Sequence, residues 1–198
     1  MWEKFASLGE VVVALKDVVA DGNCGYRAIA VAMEYPKKDG WKRVREELFH
    51  ELTSNYDNYT DIMIRTNGHI LEVDAELDAI GVRVKQCKSP ATQEFWLSLP
   101  DCGELVANCY GRPLISLSKK GNMCFIPRWT QPVLLDPIVL LFDSDSSHFL
   151  CAQLGRDEDG LYPMPAFTNV SLKRPQKMHK EWIKKLAPYV KLGKEFSL

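Results

Sequence analysis

The sequence predicts a mixed α/β domain of the α+β kind, and two patterns carry that expectation. Up to Tyr110 the apolar residues recur mainly at helical spacing, whereas from Leu114 to Leu154 they gather into short runs separated by polar turns. Length and composition agree: 198 residues, 46% apolar and 26% charged, form an ordinary globule that can bury a core without disulfide or metal staples.

Met1 to Leu15 joins a short amphipathic segment to the β-branched run Val11-Val12-Val13 and reads as a lead-in packed on the core. Val18-Val19-Ala20 enters a turn at Asp21, a good helix N-cap, and Ala28 to Met33 is apolar on every face, as in a buried helix. After the polar turn Tyr35 to Gly40, Trp41, Val44, Leu48 and Leu52 predict a second helix over Trp41 to Asn55, its charged face in solvent. Tyr56 to Asp61 is polar and aromatic. Ile62 to Ile80 carries a weaker helical pattern that ends at Gly81, with Glu72, Asp74, Glu76 and Asp78 as a solvated face. Pro100 and Asp101 open a helix that runs to about Tyr110 and stops at Gly111.

Leu114 to Ser118 and Met123 to Ile126 read as an antiparallel hairpin around Lys119-Lys120-Gly121-Asn122. Val133 to Pro137 is loop or edge, because Pro132 and Pro137 donate no ladder hydrogen bond. Ile138 to Phe142 is an apolar buried strand, and His148 to Leu154 is its partner across the polar loop Asp143 to Ser147. Beyond Gly155 the character changes, with Pro163 and Pro165 and then a basic stretch, Lys173 to Lys194, that holds Trp182, Ile183 and Leu186 at helical spacing. We therefore divide the chain into a domain over 1–155, including its lead-in, and a basic extension over 156–198 that either packs on the domain or serves as an interaction arm.

Lys and Arg number 25 against 26 Asp and Glu, so net charge gives no ground for nucleic-acid binding. The apolar run Val11 to Ala20 is broken by Lys16 and Asp17 and follows Glu3 and Glu10, which is no targeting signal or membrane anchor; an intracellular protein is expected. Cys24, Cys87, Cys102, Cys109, Cys124 and Cys151 form no C-x-x-C pair and no zinc spacing with histidine, so neither metal nor cofactor is expected, and a reduced compartment fits.

Asp21-Gly22-Asn23-Cys24-Gly25-Tyr26-Arg27 sets one cysteine just before the first apolar helix. A thiol there meets the positive end of the helix dipole, which favours thiolate. Gly22 and Gly25 leave room for a substrate backbone and suit φ > 0, and the N–H groups of Gly22, Asn23 and Cys24 form the expected oxyanion hole. On residue pattern alone, the commoner reading of such a cysteine is a small core residue.

DGNCGYRAIA resembles the nucleophile motif of the OTU (ovarian tumour) family of cysteine proteases, and Ser147-His148-Phe149-Leu150 resembles that family's late histidine followed by an aromatic. Trp41 to Arg45 and Leu99 to Leu105 add weaker agreement, and the whole, over roughly Val11 to Leu154, looks like the OTU domains found with Mutator-type transposases. The resemblance implies a papain-like fold with a small central sheet flanked by helices. It also implies hydrolysis of the isopeptide bond after the C-terminal glycine of ubiquitin or a ubiquitin-like modifier. Ubiquitin or polyubiquitin chains would be the partners, in cytoplasm or nucleus, or in host cytosol for an effector. A glycine-lined groove at Gly22 and Gly25 would suit a Gly-Gly tail.

In this reading Cys24 is the nucleophile and His148 the base. His50 lies mid-helix on a charged face, His69 in a polar segment and His179 in the basic tail, whereas His148 sits where a polar loop meets an apolar strand. Many OTU proteins place Asn or Asp two residues after the histidine, but that position is Leu150 here. Asp21 is the first choice for the supporting acid, orienting the site or ordering the oxyanion loop, with Asp145 and Asp143 as alternates. Arg27 reads as a structural ion pair and Tyr26 as core. Two other readings stand beside the enzyme: an OTU-like domain that binds ubiquitin or a partner without turnover, and the OTU domain of a transposon-derived or host-directed protein.

Overall fold

The computed structural model describes residues 9–67, 70–133, 135–170 and 177–196; His69 lies outside them. Strand β1 (Val12–Lys16) comes first, followed by helices α1 (Cys24–Ala32), α2 (Gly40–Ser54), α3 (Tyr56–Asn67) and α4 (Ile70–Lys85). A 3₁₀ turn (Gln93–Phe95) leads into α5 (Leu99–Tyr110), and then come β2 (Leu114–Ser118), β3 (Met123–Phe125), β4 (Ile138–Asp143), β5 (His148–Leu154) and α6 (Lys177–Glu195).

The strands form one five-stranded sheet in the order β1-β5-β4-β2-β3. β2 and β4 run parallel, and the other neighbours are antiparallel. This is the mixed α+β architecture that the sequence predicts, with helices on both faces of a central sheet. The continuous apolar runs of β2 and β4 follow, because a strand covered on both faces has no solvent side. Leu114, Ile138, Leu140, Phe149 and Cys151 point to the face covered by α1, α2, α4 and α5. Ile115, Leu117, Val139, Leu141, Leu150 and Ala152 point to the other, where Trp182, Leu186 and Tyr189 of α6 cover them.

The β-branched run at Val11 is more than a lead-in. It enters β1, an edge strand that pairs Val12 with Leu154 and Lys16 with Cys151. The third helical pattern begins earlier than expected and is two helices, since Tyr56 to Asp61 lies within α3. Gly81 does not end α4, which continues to Lys85; a Cβ there would make only ordinary contact with Leu52 of α2. Gly111 does stop α5, at φ 61°, where a glycine costs nothing. Arg45 on the nominally solvated face of α2 is fully buried. The basic stretch packs on the domain: Trp182 is 1% exposed and its indole N–H donates to the Thr130 carbonyl at 2.9 Å.

Candidate active site

Cys24 is the first residue of α1, and the N-cap is Asn23 rather than Asp21. The helix lies against β4 and β5, which brings Cys24 under the start of β5. The backbone N–H groups of Phe149, Gly25 and Cys24 itself lie near the sulfur and favour its thiolate. With 7% exposure, burial pushes the thiol above its ordinary value, and those N–H groups pull the other way. A helix N-terminus leaves its first N–H groups without intrahelical acceptors, which is why they remain for the sulfur.

The turn before the cysteine is held from several sides. Asp21 accepts from Arg27 Nη2 at 2.7 Å, from Arg27 Nε at 3.1 Å, from the Ser89 hydroxyl at 2.5 Å and from the Asn23 N–H at 3.1 Å. Burial alone would raise the Asp21 carboxyl, but these donors, Arg27 foremost, hold it well below the usual carboxylate range. The Asn23 side chain is buried: Oδ1 accepts from Arg45 Nε at 3.1 Å and Nη2 at 2.8 Å, and Nδ2 donates to the Lys88 carbonyl at 3.2 Å. Arg27 makes the structural ion pair expected of it, and Tyr26 is fully buried.

Two expectations about this turn are corrected. Gly22 does take φ +79°, but a Cβ there would run into the Ala91 carbonyl and Trp96, and one on Gly25 would run into Leu97. Both glycines admit the protein's own Ala91–Leu97 segment, so no empty glycine-lined groove exists at these positions. The Asn23 N–H is occupied by Asp21 Oδ1, which removes it from the expected trio of oxyanion donors. A cleft of about 500 Å³ opens farther along, beside Leu97 and Phe149, and is lined by Trp96, Leu99, Met123 and Phe142.

His148 begins β5 opposite Asp143 of β4, directly before the residue whose N–H meets the Cys24 sulfur. Its Nε2 lies 2.8 Å from Oδ1 of Asp17. A carboxylate accepts only, so Nε2 carries the proton and Nδ1 is the basic nitrogen of the neutral ring. Asp17 was not among the acids singled out from the sequence. Asp21 is committed to Arg27, Ser89 and Asn23, Asp145 lies 3.8 Å from Lys119, and Asp143 accepts from the Asp145 N–H and the Ser146 hydroxyl. The one signal for Asp17 was its position at the end of the apolar run Val11 to Leu15. Reading that run as a strand beside β5 would have led to it.

A thiol at a helix N-terminus near the N–H of Phe149, the strand residue that follows an imidazole oriented by a carboxylate, brings together the parts for nucleophilic acyl transfer. Among the described residues, no group of three His, Cys, Asp or Glu is placed to hold a metal ion, and no helix is long and apolar enough to cross a membrane.

No protein-family model matches the chain, and no curated protein matches it in sequence. Solved structures do. The chain is similar to the viral OTU domain protease from Dera Ghazi Khan virus, with a TM-score of 0.51 and 12% identity over 75% of this chain and 85% of that one. It is similar to the viral OTU domain protease from Taggert virus, with a TM-score of 0.51 and 14% identity over 77% and 85%. Against the OTUD1 OTU domain the TM-score is 0.51, with 15% identity over 77% and 91%. At such identities the likeness speaks for the fold, which is that of an OTU domain.

Proposed function

We propose that the chain is a thiol-dependent hydrolase of OTU type that cleaves the isopeptide bond after the C-terminal glycine of ubiquitin or a ubiquitin-like modifier. The observation that carries this reading is that Cys24 lies near the N–H of Phe149 at the start of β5, while the adjoining His148 is held at Nε2 by Asp17. The OTU fold and the two sequence motifs support the substrate class, and the likeness to transposase-associated OTU domains rests on the mid-chain stretches Trp41 to Arg45 and Leu99 to Leu105.

In this mechanism His148 Nδ1 takes the Cys24 proton, and the thiolate attacks the glycine carbonyl. The oxyanion donors that remain of the expected set are the N–H groups of Gly22 and Cys24, the latter serving the sulfur before attack; a donor of this kind contributes about 3 kcal/mol of transition-state stabilisation. The imidazolium returns its proton to the departing lysine amine, leaving a thioester. Water, deprotonated by His148, attacks that thioester and releases the modifier with its carboxylate. Asp17 accepts from Nε2–H throughout and stabilises the imidazolium. Asp21 orders the turn.

A second reading is favoured by one observation: Cys24 is 7% exposed and burial pushes its thiol up, as in a domain that binds a modifier without turning it over. A ubiquitin probe with a C-terminal electrophile separates the two. We expect the wild type to form a covalent adduct at Cys24 and to cleave di-ubiquitin, and the Cys24→Ala variant to do neither while still binding ubiquitin. Binding without adduct or cleavage by the wild type would favour the second reading, and cleavage by Cys24→Ala would sink both.

A further inference from the structure

Arg45 is a fully buried cation whose described hydrogen bonds all go to neutral oxygens. Nε and Nη2 converge on Asn23 Oδ1 at 3.1 and 2.8 Å, Nη2 also reaches the Phe95 carbonyl at 3.0 Å, and Nη1 reaches the Arg83 carbonyl at 2.6 Å. The guanidinium lies 3.6 Å from the centre of the Tyr26 ring. Burying a charge without a carboxylate is costly, and burial pulls this guanidinium below its ordinary pKa. The cation therefore calls for a reason, and the atom on which two of its donors meet supplies one.

Asn23 occupies the N-cap of α1, the position at which an asparagine oxygen ordinarily accepts an N–H from the first turn. Here it makes no such bond, and its ψ of 10° lies outside the extended range usual for a capping residue. The oxygen that would cap the helix is turned inward and occupied by Arg45, and the amide end is fixed on the Lys88 carbonyl. The Gly25 N–H, at the second helical position where a capping oxygen would accept, is consequently left free of the cap and lies near the sulfur.

Building on the proposed nucleophile, we propose that Arg45 is a positioning residue that withholds the Asn23 side chain from capping α1, and so keeps the N-terminal N–H groups of that helix available to the Cys24 thiolate and the substrate oxygen. Arg45 touches neither. It acts through Asn23, across 22 residues of sequence. The arrangement gives up a helix cap to gain an open donor set at the reacting sulfur.

The test compares Asn23→Ser with Asn23→Ala, because both lose the Arg45 contact but only serine can cap the helix. The readouts are the pH profile of iodoacetamide alkylation at Cys24, followed by mass spectrometry of its peptide, and the split between kcat and KM on di-ubiquitin. We expect Asn23→Ser to raise the alkylation midpoint by about one pH unit above that of Asn23→Ala, tenfold in reactivity below the midpoint, and to lower kcat with KM nearly unchanged. Arg45→Met, which frees the asparagine, should behave like Asn23→Ser, and adding Asn23→Ala to it should bring the midpoint back down. A structural role alone predicts the reverse, the better-capped serine variant being at least as active and the double variant worse. Equal midpoints for serine and alanine, or no reversal in the double variant, overturn the proposal. Alkylation requires no ubiquitin, so failure of the wild type with the ubiquitin probe would count against the proposed substrate and not against the role of Arg45.

Discussion

The two halves of the site are built differently. On the nucleophile side, Asp21, Asn23, Arg27 and Arg45 are buried or nearly so and share a closed set of hydrogen bonds, and Gly22 and Gly25 are pressed against the Ala91–Leu97 segment. On the base side, His148 hangs at a strand edge, and one carboxylate holds it, that of Asp17, whose side chain is 51% exposed. A half-exposed contact of that sort adds about 0–1 kcal/mol to stability. The nucleophile turn thus belongs to the folding core, whereas the base is set by a contact that contributes little to the fold and much to the chemistry.

The predictions follow that contrast. Cys24→Ala removes the group both halves serve, and di-ubiquitin cleavage should fall to background with an unchanged thermal melt. Asp17→Ala should lower kcat by as much as about 10⁴-fold, the scale seen when a triad loses its orienting carboxylate, while the melting temperature stays near that of wild type. A melt lowered as much as activity would erase the distinction between the two sides. Gly22→Ala should do the opposite, lowering the melting temperature through a forced φ of +79° and a collision with Ala91.

Acid titration should sharpen the contrast further. The Asp21 carboxyl is held below its ordinary value near 3.8 in the folded state, so its stabilisation is complete above that value and is lost as pH falls beneath it. Asp21→Asn should therefore be less stable than wild type at neutral pH, and the gap should narrow below about pH 4. A gap that persists undiminished to pH 2 would mean that the charge is not what Asp21 contributes. The smallest effect is expected from Asp145→Ala, which faces Lys119 3.8 Å away; its turnover should match wild type.

How much of this was legible in the sequence varies from residue to residue. Trp41, Val44, Leu48 and Leu52 announce α2, and all four are buried. Arg45 between them was assigned to solvent, since a spacing rule counts apolar residues and has no term for a cation that stacks on Tyr26 and bonds to Asn23. Cys24 and His148 stand out through their resemblance to the two OTU motifs, DGNCGYR and SHFL. Asp17 did not, because its significance lies in β1 pairing with β5, a contact that spans 131 residues. The glycines beside Cys24 were seen as special, but what fills the space they leave was not, because the Ala91–Leu97 segment carries no local signal of where it docks.

What the sequence by itself determined is what depends on a few neighbouring residues: the four strands from Leu114 to Leu154, the helices beginning near Trp41 and Pro100, and a cysteine set in a tight turn at a helix start. Periodicity and turn chemistry act over that range, whichever partner each element later meets. The tertiary structure alone decided which carboxylate meets His148, which oxygen Arg45 occupies, and that α6 closes the second face of the sheet with Trp182, Leu186 and Tyr189. Those outcomes are fixed by strand order and by competition among several acids and several apolar faces for the same partner. That competition is settled only when the sheet assembles and buried polar groups must find their hydrogen bonds.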